Sequence, residues 1–139
     1  MTYISILDTG CATSQKFHEQ VFGEGISLCC GRNLVEEGER PIDINGHGSG
    51  IISIVAATAR RTAPDILLNL LVHKVESNGT RMNQVNWAEA IEATLEWRAA
   101  TGERGCLLLA AGALGLSPDL ARAVEAANRH EMPDRKSVV

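Results

Sequence analysis

Two residues of this sequence have the types and settings needed for chemistry, Asp8 and His47. Asp8 closes the apolar run Ile4-Ser5-Ile6-Leu7 and precedes Thr9-Gly10, so it reads as a carboxylate just past a buried strand. His47 stands between Gly46 and Gly48, after the acidic-polar turn Asp43-Ile44-Asn45 and before the apolar segment Ile51 to Ala59. An aspartate that holds one ring nitrogen of a histidine leaves the other free as a general base, worth roughly 10²–10⁴ in rate when well placed. Together they amount to two thirds of a nucleophilic triad.

The elements that must position this pair can be read along the chain. Thr2 to Leu7, Ile26 to Cys30, Ile66 to Val75 and Cys106 to Ala111 are apolar runs of strand length. Cys11 to Gly25 reads as a loop with a helical turn around His18, and Gly31 to Asn45 as an exposed connection. Gly48 to Arg60 is too long for a strand and is expected to be a buried helix, ended by Thr62-Ala63-Pro64. A second helix is expected over Trp87 to Ala100 with Asn86 as its N-cap, and a third from Ser117-Pro118-Asp119 to about His130. Strands that are continuously apolar and alternate with helices imply an α/β fold. The expected architecture is three-layer and doubly wound, with a mainly parallel sheet. In such sheets ligands bind beyond the carboxyl ends of the strands, where Asp8 would lie.

Composition excludes several functions. A net charge of −4 with no basic cluster gives no electrostatic reason to expect nucleic acid or an anionic membrane as a partner. No apolar run approaches the roughly 20 residues that span a bilayer. Cys11, Cys29, Cys30 and Cys106 show neither metal-ligand spacing nor a disulfide framework. They are expected to be reduced, mostly buried thiols in a cytoplasmic protein. His18, His73 and His130 share no metal spacing and are expected to be surface or structural residues, and Trp87 and Trp97 packing anchors.

At this point the residues resemble a family, the subtilisin-like serine proteases. Asp8-Thr9-Gly10 after its strand is similar to the family's aspartate motif, and Asp43 to Gly48 with the following helix to its histidine motif, Gly-His-Gly-Thr-His-Val-Ala-Gly. Ala63-Pro64, His73-Lys74-Val75 and the helix Glu89 to Arg98 resemble the segments that follow, and the order aspartate before histidine agrees. The resemblance runs from about residue 3 to 131. It implies a serine-type endopeptidase acting on peptide or protein substrates, with Asp8 and His47 as catalytic residues. It also implies that Ala110, Ala111 and Gly112, in place of the family's Ser-Leu-Gly, present backbone to the substrate. No cofactor or metal is identified; calcium occurs in the family, but no residue here is assigned to it. The rival aspartic-protease reading of Asp-Thr-Gly belongs to all-β folds and conflicts with the helices expected here.

Departures from the pattern matter. Ser49-Gly50 replaces Thr-His, and Ile52-Ser53 replaces Ala-Gly. The family's Gly-Thr-Ser-Met-Ala nucleophile motif and its oxyanion-hole asparagine have no counterpart in these residues, so this stretch by itself is expected to be inactive. Residues 3–133 are therefore expected to be the N-terminal part of a subtilisin-like peptidase domain, ending after the fourth strand and its helix. The complementary C-terminal half would then be missing in cis or supplied in trans. Residues 134–139 are expected to be a non-native tail, since their codons match one frame of a widely used sequencing adapter. A non-catalytic binding or regulatory domain of the same fold is the alternative.

Overall fold

β1, Thr2–Asp8, is the strand on which the sheet is centred, paired in parallel on both sides. The computed structural model describes residues 2–77, 84–109 and 134–136. After β1 come α1 (Gln15–Val21), β2 (Ile26–Asn33), α2 (His47–Thr62), β3 (Leu68–Lys74), α3 (Gln84–Thr101), β4 (Arg104–Leu109) and β5 (Asp134–Lys136). Among the described residues the five strands are all parallel, in the order β2-β3-β1-β4-β5.

The continuous apolarity of the strands resolves into two alternating sets, each buried under helices. Ile4 and Ile6 of β1, with Leu68, Leu70 and Val72 of β3, pack against Ile51, Ile52 and Ala56 of α2 and Val21 of α1. Tyr3 and Leu7 point the other way, with Val75 and Leu107, against Trp87, Ala88, Ala90 and Ile91 of α3. Tyr3 meets Trp97 edge-on, with ring centroids 5.1 Å apart. The three-layer, doubly wound architecture is thus as the sequence implies, and the tryptophans are packing anchors.

The connections carry one irregularity. The steps β1 to β2 through α1 and β3 to β4 through α3 run in opposite directions over opposite faces, so they share one hand. The step β2 to β3 runs in the direction of β3 to β4, yet α2 lies on the α1 face. Its hand is therefore reversed, against a strong general preference for right-handed crossovers. The reversal brings the start of α2 over the carboxyl end of β1.

Several expectations need correcting. The loop around His18 holds a true helix, α1, capped by Ser14, whose hydroxyl accepts from the Phe17 N–H at 3.2 Å. β2 continues past Cys30 to Asn33 through a register shift. α3 begins at Gln84, so Asn86 is inside it and donates to the Val75 carbonyl at 3.2 Å instead of capping. The cysteines are free, but only Cys11 is buried. Cys30 is exposed and Cys29 partly so, because β2 is an edge strand whose alternate side chains reach solvent. Asp134–Lys136, within the expected tail, pairs with Leu107–Leu109, which leaves the origin of that tail untouched. The expected helix from Ser117 to His130 lies outside the described residues, as do Ala110, Ala111 and Gly112. Among the described residues, no helix is long and apolar enough to cross a membrane.

Candidate active site

Asp8 is the last residue of β1 and fully buried; His47 is the first residue of α2 and half-exposed on its side chain. The two meet. His47 Nδ1 lies 2.8 Å from Asp8 Oδ1 and 3.0 Å from Oδ2. A carboxylate can only accept, so Nδ1 carries the proton and the neutral ring presents Nε2 as a base. Asp8 Oδ1 also accepts from the Thr9 N–H at 2.7 Å, and the Val75 N–H donates to the Asp8 carbonyl at 2.9 Å. The carboxylate is therefore held by the N–H of the next residue, and the Asp8 backbone by the residue that follows β3.

Glycines let the histidine come this close. Gly46, just before His47, has a left-handed backbone with φ 103° and no side-chain cap. Gly48 faces the turn after β1, and a Cβ on it would run into the Gly10 carbonyl oxygen and crowd Thr9 Oγ1. The helix start can dock only because that position has no side chain.

Around the pair lies a polar frame that a search for catalytic residue types passes over. Thr9 Oγ1 accepts from the Gly48 N–H at 2.8 Å and donates to Asp43 Oδ1 at 2.8 Å. The Asp43 carboxylate also accepts from the N–H groups of Asn45, Gly46 and Ser49, each at 2.9 Å, and from the Ser49 hydroxyl at 2.5 Å. Burial alone would raise the Asp43 carboxyl, but these hydrogen bonds outweigh it and hold it below the ordinary range. Behind the site, Lys74 is buried at the end of β3 and donates to Glu36 Oε1 at 2.9 Å and the Ile42 carbonyl at 2.8 Å, pinning the 34–42 connection. The sequence signal for Asp43 was its place four residues before the histidine. Thr9 and Lys74 fall within the segments Asp8-Thr9-Gly10 and His73-Lys74-Val75, and that membership is their sequence signal.

The electrostatics raise the pKa of His47 above its ordinary value. The hydrogen bond that Nδ1–H donates to Asp8 raises its pKa most; partial burial opposes, and the charges of Asp8, Glu76 and Asp43 add to the rise. Glu76, one residue beyond Val75, is itself raised by burial and by the Asp8 charge, with His47 opposing. Its carboxyl thus sits within electrostatic reach of both members of the pair.

The described histidines outside the site are structural. His73 is buried on the α3 face, where Nδ1 accepts from the Arg32 N–H at 2.9 Å and Nε2 donates to Thr94 Oγ1 at 3.0 Å. His18 Nε2 bonds the Ala12 carbonyl at 2.7 Å. His130 lies outside the described residues. Among the described residues, no group of three His, Cys, Asp or Glu side chains gathers as a metal set.

No known family profile matches the sequence, and no curated protein matches it. Solved structures do match. An "S41 Psychrophilic Protease" superposes with a TM-score of 0.70 at 19% identity, over 97% of this chain and 44% of its own. A cold-adapted subtilisin-like serine proteinase gives 0.65 at 18%, over 97% and 45%. The prenylagaramide maturation protease PagA gives 0.61 at 16%, over 97% and 44%. The chain has the subtilisin-like fold. It spans under half the length of each of these neighbours.

Proposed function

We propose that this chain is the aspartate–histidine part of a serine-type endopeptidase, with His47 as general base and Asp8 as the carboxylate that orients it. The observation that carries the reading is the 2.8 Å contact of His47 Nδ1 with Asp8 at the carboxyl end of the central strand. It leaves Nε2 outside that bond, on a partly exposed ring. In the reaction, Nε2 takes the proton from a serine hydroxyl as its oxygen attacks the peptide carbonyl, and then passes that proton to the leaving amine. The imidazolium formed between these steps is stabilised by the Asp8 carboxylate.

The nucleophile comes from sequence outside these residues, continuing in cis or supplied in trans. The described serines near the site are already committed: Ser49 Oγ donates to Asp43 and accepts from the Ala12 N–H at 3.0 Å. Ser5 is buried against Thr94 on the α3 face. The backbone of Ala110, Ala111 and Gly112 is proposed to pair with the substrate. A fluorophosphonate probe on the native gene product tests the reading. Labelling should fall on a serine beyond these 139 residues and should be lost in His47→Ala. Equal labelling in that variant would overturn the assignment.

A further inference from the structure

We infer that Asp43 is the positioning residue of the Asp8–His47 pair: its carboxylate sets the proton directions of two hydroxyls that join the end of β1 to the start of α2. The inference rests on the reading of that pair as a base dyad.

Asp8 and His47 lie 39 residues apart and belong to different elements, so their contact is only as good as the docking of those elements. A catalytic pair of this kind must be held to about 0.5 Å. Two hydrogen bonds make the docking. The Gly48 N–H donates to Thr9 Oγ1 at 2.8 Å, and the Ala12 N–H donates to Ser49 Oγ at 3.0 Å. In both, a backbone donor from one element meets a hydroxyl from the other. A hydroxyl serves as acceptor there only if its own proton points elsewhere. Both protons point at Asp43: Thr9 Oγ1 donates to Oδ1, and Ser49 Oγ donates to Oδ2. One carboxylate therefore orients both joints.

The same carboxylate does the work of a helix cap. Gly46 has no side chain to cap α2, and Asp43 accepts from the Ser49 N–H in the first turn while also accepting from Asn45 and Gly46. The backbone N–H of Asp43 itself donates to the Cys11 carbonyl at 3.0 Å, which ties the residue to the turn after β1. Asp43 thus holds both sides of the joint. Every donor around it requires an acceptor on both oxygens, so an amide cannot replace the carboxylate. In Asp43→Asn the NH2 group would face either the Ser49 or the Thr9 and Gly46 donors.

The test is proton and nitrogen NMR of the imidazoles in the 139-residue chain. The readout is the downfield His47 Nδ1–H resonance given by the bond to Asp8. The His73 ring, buried on the opposite face, serves as the reporter of folding. Asp43→Asn should lose or shift upfield the Nδ1–H signal and lower the His47 pKa. Removing a nearby negative charge would lower that pKa by itself, so the deciding variants are uncharged. Thr9→Val should weaken the Nδ1–H signal, Thr9→Ser should keep it, and Ser49→Ala should show a smaller loss of the same kind. A folded Thr9→Val chain with an unchanged Nδ1–H signal would overturn the inference and reduce Asp43 to a nearby charge. If Asp43→Asn fails to fold, the Thr9 pair still decides. Because the signal reports a hydrogen bond and not proteolysis, the inference can fail while the serine-protease reading stands, and the reverse.

Discussion

Asp8→Asn removes the acceptor that fixes the His47 tautomer, because an amide offers Nδ1 either a weaker oxygen or a competing donor. In the completed enzyme the expected loss is about 10²–10⁴ in kcat/KM, the share that a positioned base supplies. The chain alone should show a lowered His47 pKa by NMR titration. Glu76→Gln should lower it too, since the Glu76 charge is among those that raise it. A base with a lower pKa is free at lower pH, so the acidic limb of a kcat/KM profile should move down in Glu76→Gln. An unmoved limb would place Glu76 outside the field of the pair. Asp8 and His47 were legible as a pair in the sequence because aspartate and histidine announce their chemistry by type. The roles of Thr9 and Asp43 were not, although both stand in the quoted motifs, because a hydroxyl or a turn carboxylate takes its role from partners that only the fold brings near. Ser49 was noted only as a departure, yet it supplies a hydroxyl that binds Asp43.

The elements show the same division. Strands β1, β3 and β4 were legible because buried parallel strands are apolar on both faces, and these runs have strand length. α1 was missed because its seven residues carry few apolar side chains and its start is signalled by one serine. The early start of α3 was missed because Asn86 is a good cap by type, and its use as a donor to Val75 depends on the sheet beneath it. Gly48 offers a test at this scale, with two effects of opposite sign. Helix propensity alone predicts that Gly48→Ala stabilises α2 by up to about 1 kcal/mol. Its Cβ would meet the Gly10 carbonyl and the Gly10 N–H, which are backbone and cannot rotate away. The clash should win, with a net loss of about 1–3 kcal/mol in urea denaturation and a weaker His47–Asp8 bond. A stabilised variant would mean that the joint has slack.

At the scale of the molecule, the two faces of the sheet divide the labour, and the division was only half legible. Helices on both faces followed from the strand composition, but the reversed crossover through α2 did not, because hand is a property of the path and leaves no mark on periodicity. That crossover puts the site and its hydrogen-bonded frame on the α2 side and leaves the α3 side to structure. There His73 is held neutral: burial first, and the Arg32 charge after it, push its pKa down to about 4. Its Nδ1 must stay unprotonated to accept the Arg32 N–H. Thr94 Oγ1 accepts from His73 and donates to the Ala90 carbonyl, so Ser5 must donate to it in turn. The unfolded chain binds a proton on this ring near pH 6.5 while the folded chain does not until about 4, so stability falls as pH drops through that window. The full loss is on the order of 3 kcal/mol by linkage. His47 acts with the opposite sign, since its raised pKa favours the folded state in acid, but its exposed ring makes that compensation small. Asp43, already held below the ordinary carboxylate range, contributes its loss only at still lower pH. Urea midpoints measured from pH 7 to 4 should therefore decline in the native sequence. The slope should flatten in His73→Gln, which keeps a donor for Thr94 but cannot titrate. A midpoint independent of pH in the native chain would show that His73 is not held neutral, and that the α3 face tolerates a charge beneath it.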